Sequence, residues 1–141
     1  MRTLKLLGAA IALFLATSSG AFAAVVAKID ISSQTMRVYV NGSLAHSWPV
    51  STARKGYRTP VGTFRPTVVK RMHYSSKYNN SPMPHSVFFR GGYAIHGTGY
   101  VKSLGRPASH GCVRLAPAAA AAFYSLVKQH GAGATKIVIT Y

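Results

Sequence analysis

The sequence predicts a mostly β domain with one substantial helix. Three observations predict it. Apolar residues from position 25 onward recur mainly with period two, the strand period. The dipeptide Asn41-Gly42, the strongest short hairpin signal, separates two such runs. Only one stretch, opening at Pro117, carries helical spacing. In chain order, residues 25–31 and 34–40 read as strands, a type I′ turn follows at Asn41-Gly42, and 43–50 completes a meander. Thr59-Pro60-Val61-Gly62-Thr63-Phe64 leads turn residues into one extended run through Lys70. Residues 74–84, polar and rich in Ser, Asn and Pro, read as a loop. Residues 86–90, 93–97 and 112–115 are short strands, with the Gly and Pro of 97–107 marking a loop between the last two. The helix takes Pro117 in its first turn, places Phe123, Leu126, Val127 and His130 on one face, and stops at Gly131. Its alanines, 118–122, are strong helix formers whose small side chains allow close packing on a sheet. Residues 135–141 form a final strand, and no repeat, linker or second domain is evident.

Composition restricts the chemistry. The 141 residues hold 17 Lys and Arg against one acidic residue, Asp30, and one cysteine, Cys112. Paired-carboxylate glycoside hydrolysis, an aspartic dyad, an HExxH site and a carboxylate-held Mg²⁺ or Ca²⁺ site are therefore excluded. One cysteine also rules out an intramolecular disulfide and a zinc site needing two thiolates. His46, His73, His85 and His130 have no metal-ligand spacing and read as surface or core residues, so neither a metal nor a cofactor is expected. Tyr57 and Tyr74 are candidates for lining a groove, although aromatic residues in β proteins are more often packing.

Residues 1–23 read as an export signal: Arg2 and Lys5 precede an apolar run at 6–16, and Ala21-Phe22-Ala23 supplies a cleavage site. That run is shorter than the roughly 20 residues that span a bilayer. The expectation is a single domain, 24–141, exported to the periplasm or cell envelope without a transmembrane segment. Loss of Arg2 and Lys5 leaves 15 basic residues against Asp30, a charge of +14. Such a surface attracts polyanions. The basic residues are scattered singly or in pairs, without a basic helix or an RNP-type signature, so anionic envelope polymers are expected as partners rather than nucleic acid.

The chemistry concentrates in Ile95-His96-Gly97-Thr98 and Ser109-His110-Gly111-Cys112-Val113-Arg114-Leu115. A free thiol in an oxidising compartment is a liability unless buried or used. Cys112 follows a His by two residues, and His96 lies sixteen residues upstream. Spacing alone leaves catalysis and a buried structural thiol both open, because residues near in sequence need not meet in space.

Ser-His-Gly-Cys-Val-Arg, preceded by Ile-His-Gly-Thr, resembles the signature of the L,D-transpeptidase catalytic domain, the YkuD domain. The resemblance covers nearly all of 24–141: the opening hairpin ending in Ser51-Thr52, Thr-Pro-x-Gly-Thr-Phe at 59–64, Leu104-Gly105-Arg106-Pro107, and the final helix and strand follow in family order. It implies a single β-sandwich-type catalytic domain in which Cys112 attacks a peptidoglycan stem peptide. The donor tetrapeptide releases D-Ala, and the thioester passes to an acceptor amine on another stem peptide or an envelope protein lysine. Hydrolysis of that thioester would make the same site an L,D-carboxypeptidase. Carbapenem acylation of Cys112 is implied as well. The resemblance assigns His96 as base and acid, and His110 as the histidine that shapes the site or supports the thiolate.

The remaining roles follow from chemistry. A free thiol with pKa near 8.5 is about 3% ionised at pH 7, so full ionisation gains only about 30-fold, or about 2 kcal/mol. Proton delivery to the leaving amine and oxyanion stabilisation must supply more. Gly111 is expected to turn its N–H and that of Cys112 toward an oxyanion, and Ser109 either to hydrogen-bond a histidine or substrate or simply to form the turn. Arg114 favours thiolate or clamps a stem-peptide carboxylate. With Asp30 remote, a backbone carbonyl is the expected orienter of His96. Two other readings compete: a non-catalytic envelope-polymer-binding module with a structural Cys112, and a secreted nucleic-acid binder.

Overall fold

The computed structural model describes residues 22–141, so most of the export segment, 1–21, lies outside the described residues. β1 (Val25–Asp30), β2 (Thr35–Val40) and β3 (Ser43–Pro49) form the expected meander, with Asn41 and Gly42 at φ +48° and +83° making its turn. β4 (Gly62–Phe64) and β9 (Thr135–Thr140) complete a five-stranded sheet in the order β3-β2-β1-β9-β4, in which β1 and β9 run parallel. β5 (Val68–Ser75), β6 (Ser81–Arg90), β7 (Tyr93–Gly97) and β8 (Val113–Leu115) form a second sheet in that order. The helix α1 (Pro117–His130) matches the sequence expectation at both ends: Pro117 opens it, and Gly131 at φ +89° returns its N–H to Val127 O at 2.8 Å.

Two expectations are corrected. The extended run expected from 59 to Lys70 is two strands in different sheets, because Pro66 supplies no backbone donor and the chain changes partner there: Phe64 pairs with β9, while Thr67 N–H already bonds Phe88 O at 2.8 Å. The loop expected at 74–84 is the end of a long hairpin. Asn79 and Asn80, at φ +53° and +51°, turn the chain, and Tyr74 pairs with Pro82 and Met72 with Pro84. β6 pairs with β7 only from Val87 onward, so the half carrying both prolines has a free edge, where a missing donor breaks no ladder.

Alternation decides what each strand buries. Val25, Ala27, Ile29, Met36, Val38, Ile137 and Ile139 of the first sheet meet Val87, Phe89, Ile95, Val113 and Leu115 of the second, together with Phe123 and Val127 of α1, in one core. Ile95 points into that core, which sends Ala94 and His96 to the outer face of the second sheet. There Met83, Phe88 and Ala94 make a separate small cluster against Cys112. Phe123 is 1% exposed and is among the largest fully buried side chains. Phe123→Ala should lower unfolding free energy by about 3–5 kcal/mol in urea titrations, with the m-value unchanged.

Candidate active site

Cys112 sits at the entry to β8 and His96 near the end of β7. The two strands pair in parallel, Ile95 with Val113 and His96 with Arg114, so one register brings both signature segments to one place. Cys112, His96, Arg114, Ser109 and His110 all line a single cavity of about 750 Å³. His73, Lys77, Tyr78 and Tyr93 are among the other residues of its wall.

The motif turn is held from outside by residues 50–59. Ser51 N–H bonds Arg114 O at 3.0 Å and Arg114 N–H returns to Ser51 O at 2.9 Å, while Ser109 N–H bonds Thr52 O at 2.9 Å. Gln34, 4% exposed, fixes this segment in turn, donating Nε2–H to Thr52 Oγ1 at 2.6 Å and accepting Thr52 N–H at 2.9 Å. Thr59 Oγ1 donates to Gly111 O at 2.8 Å and accepts from Ala53 N–H at 3.0 Å. Gly111 is needed here. Its φ is +139°, and a Cβ would lie 2.6 Å from a Tyr93 ring carbon and 2.9 Å from Arg58 O.

His96 is 6% exposed and its Nδ1 lies 2.7 Å from Gly97 O, the backbone carbonyl expected as its orienter. A carbonyl only accepts, so Nδ1 carries the proton and Nε2 holds a lone pair. Burial chiefly, offset in part by the Gly97 hydrogen bond and reinforced by the charges of Arg114 and His73, pushes the imidazole pKa down to about 4. Burial likewise pushes the Cys112 thiol above its ordinary value, against a backbone hydrogen bond from Ala94 and the Arg114 charge. At neutral pH both groups are therefore uncharged. The thiol is directed at Gly92 O, 3.8 Å away.

Three expectations change. Ser109 is fully buried and its hydroxyl donates to Cys112 O at 2.6 Å, bracing the turn rather than reaching a histidine. Gly111 N–H is taken by Ser109 Oγ at 3.1 Å, so of the two expected oxyanion donors this one is engaged. Arg114 does not ionise the thiol, because desolvation outweighs its charge. His110 stacks on Tyr78 at 4.1 Å and meets Tyr57 edge-on at 4.8 Å, so Tyr57 backs His110, and neither it nor Tyr74 lines the cavity itself. Desolvation, then the charges of Arg54, Arg114 and Lys77, hold His110 below the ordinary imidazole range. His73, which reads from sequence as an incidental histidine, lines the cavity with its ring edge-on to Phe88 at 5.1 Å. Among the described residues no three His, Cys, Asp or Glu side chains gather as a metal site, and no helix is long and apolar enough to cross a membrane.

The model of the L,D-transpeptidase catalytic domain matches residues 24–139. The chain belongs to that family. Solved structures similar to it include an L,D-transpeptidase from Mycobacterium smegmatis, with 24% identity, a TM-score of 0.75, and coverage of 84% of this chain and 59% of that one. Another is the L,D-transpeptidase of Xylanimonas cellulosilytica, with 28% identity, a TM-score of 0.69, and coverage of 84% and 61%. A third is L,D-transpeptidase 3 from Mycobacterium tuberculosis in complex with a faropenem-derived adduct, with 22% identity, a TM-score of 0.70, and coverage of 84% and 60%. The chain thus spans about three fifths of the length of these solved relatives. No curated protein matches it in sequence. The two sheets and single large helix are the fold of this family's catalytic domain.

Two measurements test the site's construction. An unfolded imidazole binds a proton below about pH 6.5, whereas folded His96 stays neutral down to about 4. The stability this ring confers is therefore full above pH 6.5 and is lost as pH falls toward 4, by about 3 kcal/mol. Urea titrations across that window should show this loss in the parent and not in His96→Asn, whose amide can still donate to Gly97 O. Gly111→Ala should destabilise by about 2–3 kcal/mol in the same assay, since both the backbone and Tyr93 must shift.

Proposed function

We propose that this domain is an exported cysteine L,D-transpeptidase acting on peptidoglycan stem peptides. The observation that carries the reading is the shared cavity of Cys112 and His96, which holds an uncharged thiol and a buried imidazole whose Nε2 is unprotonated. A permanent thiolate–imidazolium pair is not needed. As Sγ attacks the carbonyl of the third residue of a donor tetrapeptide, its proton moves to His96 Nε2. Cys112 N–H is the loop donor assigned to the oxyanion, and Gly111 contributes by setting the turn. The imidazolium then protonates the amine of the departing D-Ala, leaving a thioester. An acceptor amine attacks that thioester, passes its proton back to Nε2, and collapse of the adduct returns the proton to Sγ, so the site ends as it began.

Arg114 is assigned to a donor carboxylate, half-buried at the cavity wall with its guanidinium held near Ala108 O at 3.5 Å. His110 is assigned to shaping the rim between Tyr57 and Tyr78. Residues 1–23 are proposed as the export signal and 24–141 as the mature domain. One relative is in complex with a faropenem-derived adduct, and Cys112 is proposed as the group a carbapenem or penem would acylate here. Acyl transfer to water instead of an amine would make the same residues an L,D-carboxypeptidase.

Incubation with diaminopimelate-containing tetrapeptide muropeptides should give loss of D-Ala and new dimers by mass spectrometry. Cys112→Ala should reduce both more than about 1000-fold. D-Ala loss without dimers across several acceptors would assign hydrolysis, and a folded parent giving neither product nor acyl adduct would overturn the enzymatic reading. Because burial raises the thiol above its ordinary value, alkylation by iodoacetamide in the absence of substrate should accelerate with pH to a midpoint above that of a free cysteine. A midpoint near neutrality would instead require a preformed ion pair.

A further inference from the structure

The first sheet turns one face to the core and leaves the other uncovered among the described residues. On that outer face Lys28 lies directly opposite Arg37 in the β1–β2 ladder, and both are exposed. Like charges in directly paired positions destabilise a sheet. Lys136, also exposed, pairs with Val26 on β9 and so sits one diagonal step from Lys28. The three cations form a line across three adjacent strands. Tyr39, opposite Val26, lies beside it with its ring centre 5.2 Å from Lys28 Nζ. The line runs on toward Arg65, which is held by a hydrogen bond to Gly133 O and shares with Lys136 a concavity also lined by Phe64 and, from the proposed export segment, by Phe22 and Ala23. The one acidic side chain of the chain, Asp30, is the next residue after Lys28 on the same face of β1, and its Oδ1 accepts from Ser32 Oγ at 2.6 Å and Ser33 N–H at 3.3 Å. Against that single carboxylate stand Arg37, Lys28, Lys136 and Arg65, so the strip keeps a positive excess that is greatest at its Lys136–Arg65 end.

A linear array of cations with an aromatic ring beside it matches a linear polyanion better than a bilayer surface, since Tyr39, Val26 and Val138 are half-buried and Lys28, Arg37 and Lys136 stand clear. The alternation that sends His96 to the outer face of the second sheet also sets this line on the opposite side of the sandwich from the catalytic cavity. A polymer held there leaves the cavity open. We infer that the outer face of the five-stranded sheet, along Arg37, Lys28, Lys136 and Arg65, is a docking track for a peptidoglycan strand bearing free stem-peptide carboxylates. This choice of polymer rests on the proposed transpeptidase function. The track holds the domain on the wall while the opposite face reacts with a second strand.

The test is co-sedimentation with purified peptidoglycan sacculi at low salt, in a Cys112→Ala background that prevents covalent capture. Replacing the track cations together, Lys28→Gln, Arg37→Gln and Lys136→Gln, should raise the half-saturation concentration about tenfold and flatten its salt dependence. The control Lys70→Gln, Arg71→Gln and Lys128→Gln removes equal charge from exposed sites elsewhere and should change it less than about twofold. Equal shifts in the two sets would overturn the track in favour of net charge alone. Tighter parental binding to inorganic polyphosphate or to anionic vesicles than to sacculi would overturn the choice of partner. Should the triple variant fail to fold, Lys28→Gln and Lys136→Gln singly carry the test, each with a smaller shift in the same direction. Acylation of Cys112, measured with the native thiol, should be unchanged in the track variants. A parent that acylates but does not bind sacculi refutes the track alone, whereas a parent that never acylates refutes the transpeptidase reading and with it the choice of polymer.

Discussion

The parallel pairing of β7 with β8 is the constraint on which the site depends. Parallel neighbours cannot be joined by a tight turn, so the chain must travel from His96 across residues 98–112 before returning to lie beside the strand it left. That excursion delivers Cys112 to the head of β8 with only short 3₁₀ structure at Val101–Ser103 to stiffen the path. A segment so irregular needs an external brace. Residues 50–59 supply it, through the Ser51–Arg114 backbone pair and the Thr59 hydroxyl on Gly111 O, and Gln34 anchors the brace to the first sheet. The two sheets are therefore tied at the motif itself as well as through the apolar core.

Electrostatics in this domain follow from a near absence of carboxylates. Elsewhere an acid commonly orients a histidine; here a backbone carbonyl does so, and it adds no negative charge to favour imidazolium. Burial then governs both titrating groups and drives each toward its uncharged form. The same scarcity of acids leaves cations in excess on both outer faces: Lys77 and Arg114 at the cavity, and Lys28, Arg37 and Lys136 against the single Asp30 on the sheet behind it. One compositional fact thus shapes the ground state of the thiol and the character of two surfaces.

Much of the fold was legible because it is encoded locally. Period-two alternation, Asn41-Gly42, Pro117 and Gly131 each act within a few residues, and the strands and helix end within a residue or two of where these signals put them. The misreadings at 64–70 and 74–84 have a common origin. Whether a Pro-containing extended segment joins a sheet depends on whether its donor-free edge faces a neighbour, and sequence does not show neighbours. The two readings of Ser109, site hydrogen bond or turn former, stayed open for a related reason: its acceptor is Cys112 O in its own turn, which only the folded turn reveals. His73 and Tyr78 carried no local signal at all, since the β5–β6 hairpin brings them to the cavity wall.

By itself, then, the sequence determined a mostly β domain, a lone thiol, two histidine-bearing segments, and an acid-poor surface, because composition and short-range backbone preferences are properties of neighbouring residues. Tertiary structure decided the protonation of the thiol and imidazole, the partners of Ser109 and Gly111, and the side of the sandwich on which each cation stands. Those depend on desolvation and on strand register, and both arise only when segments distant in the chain pack against one another.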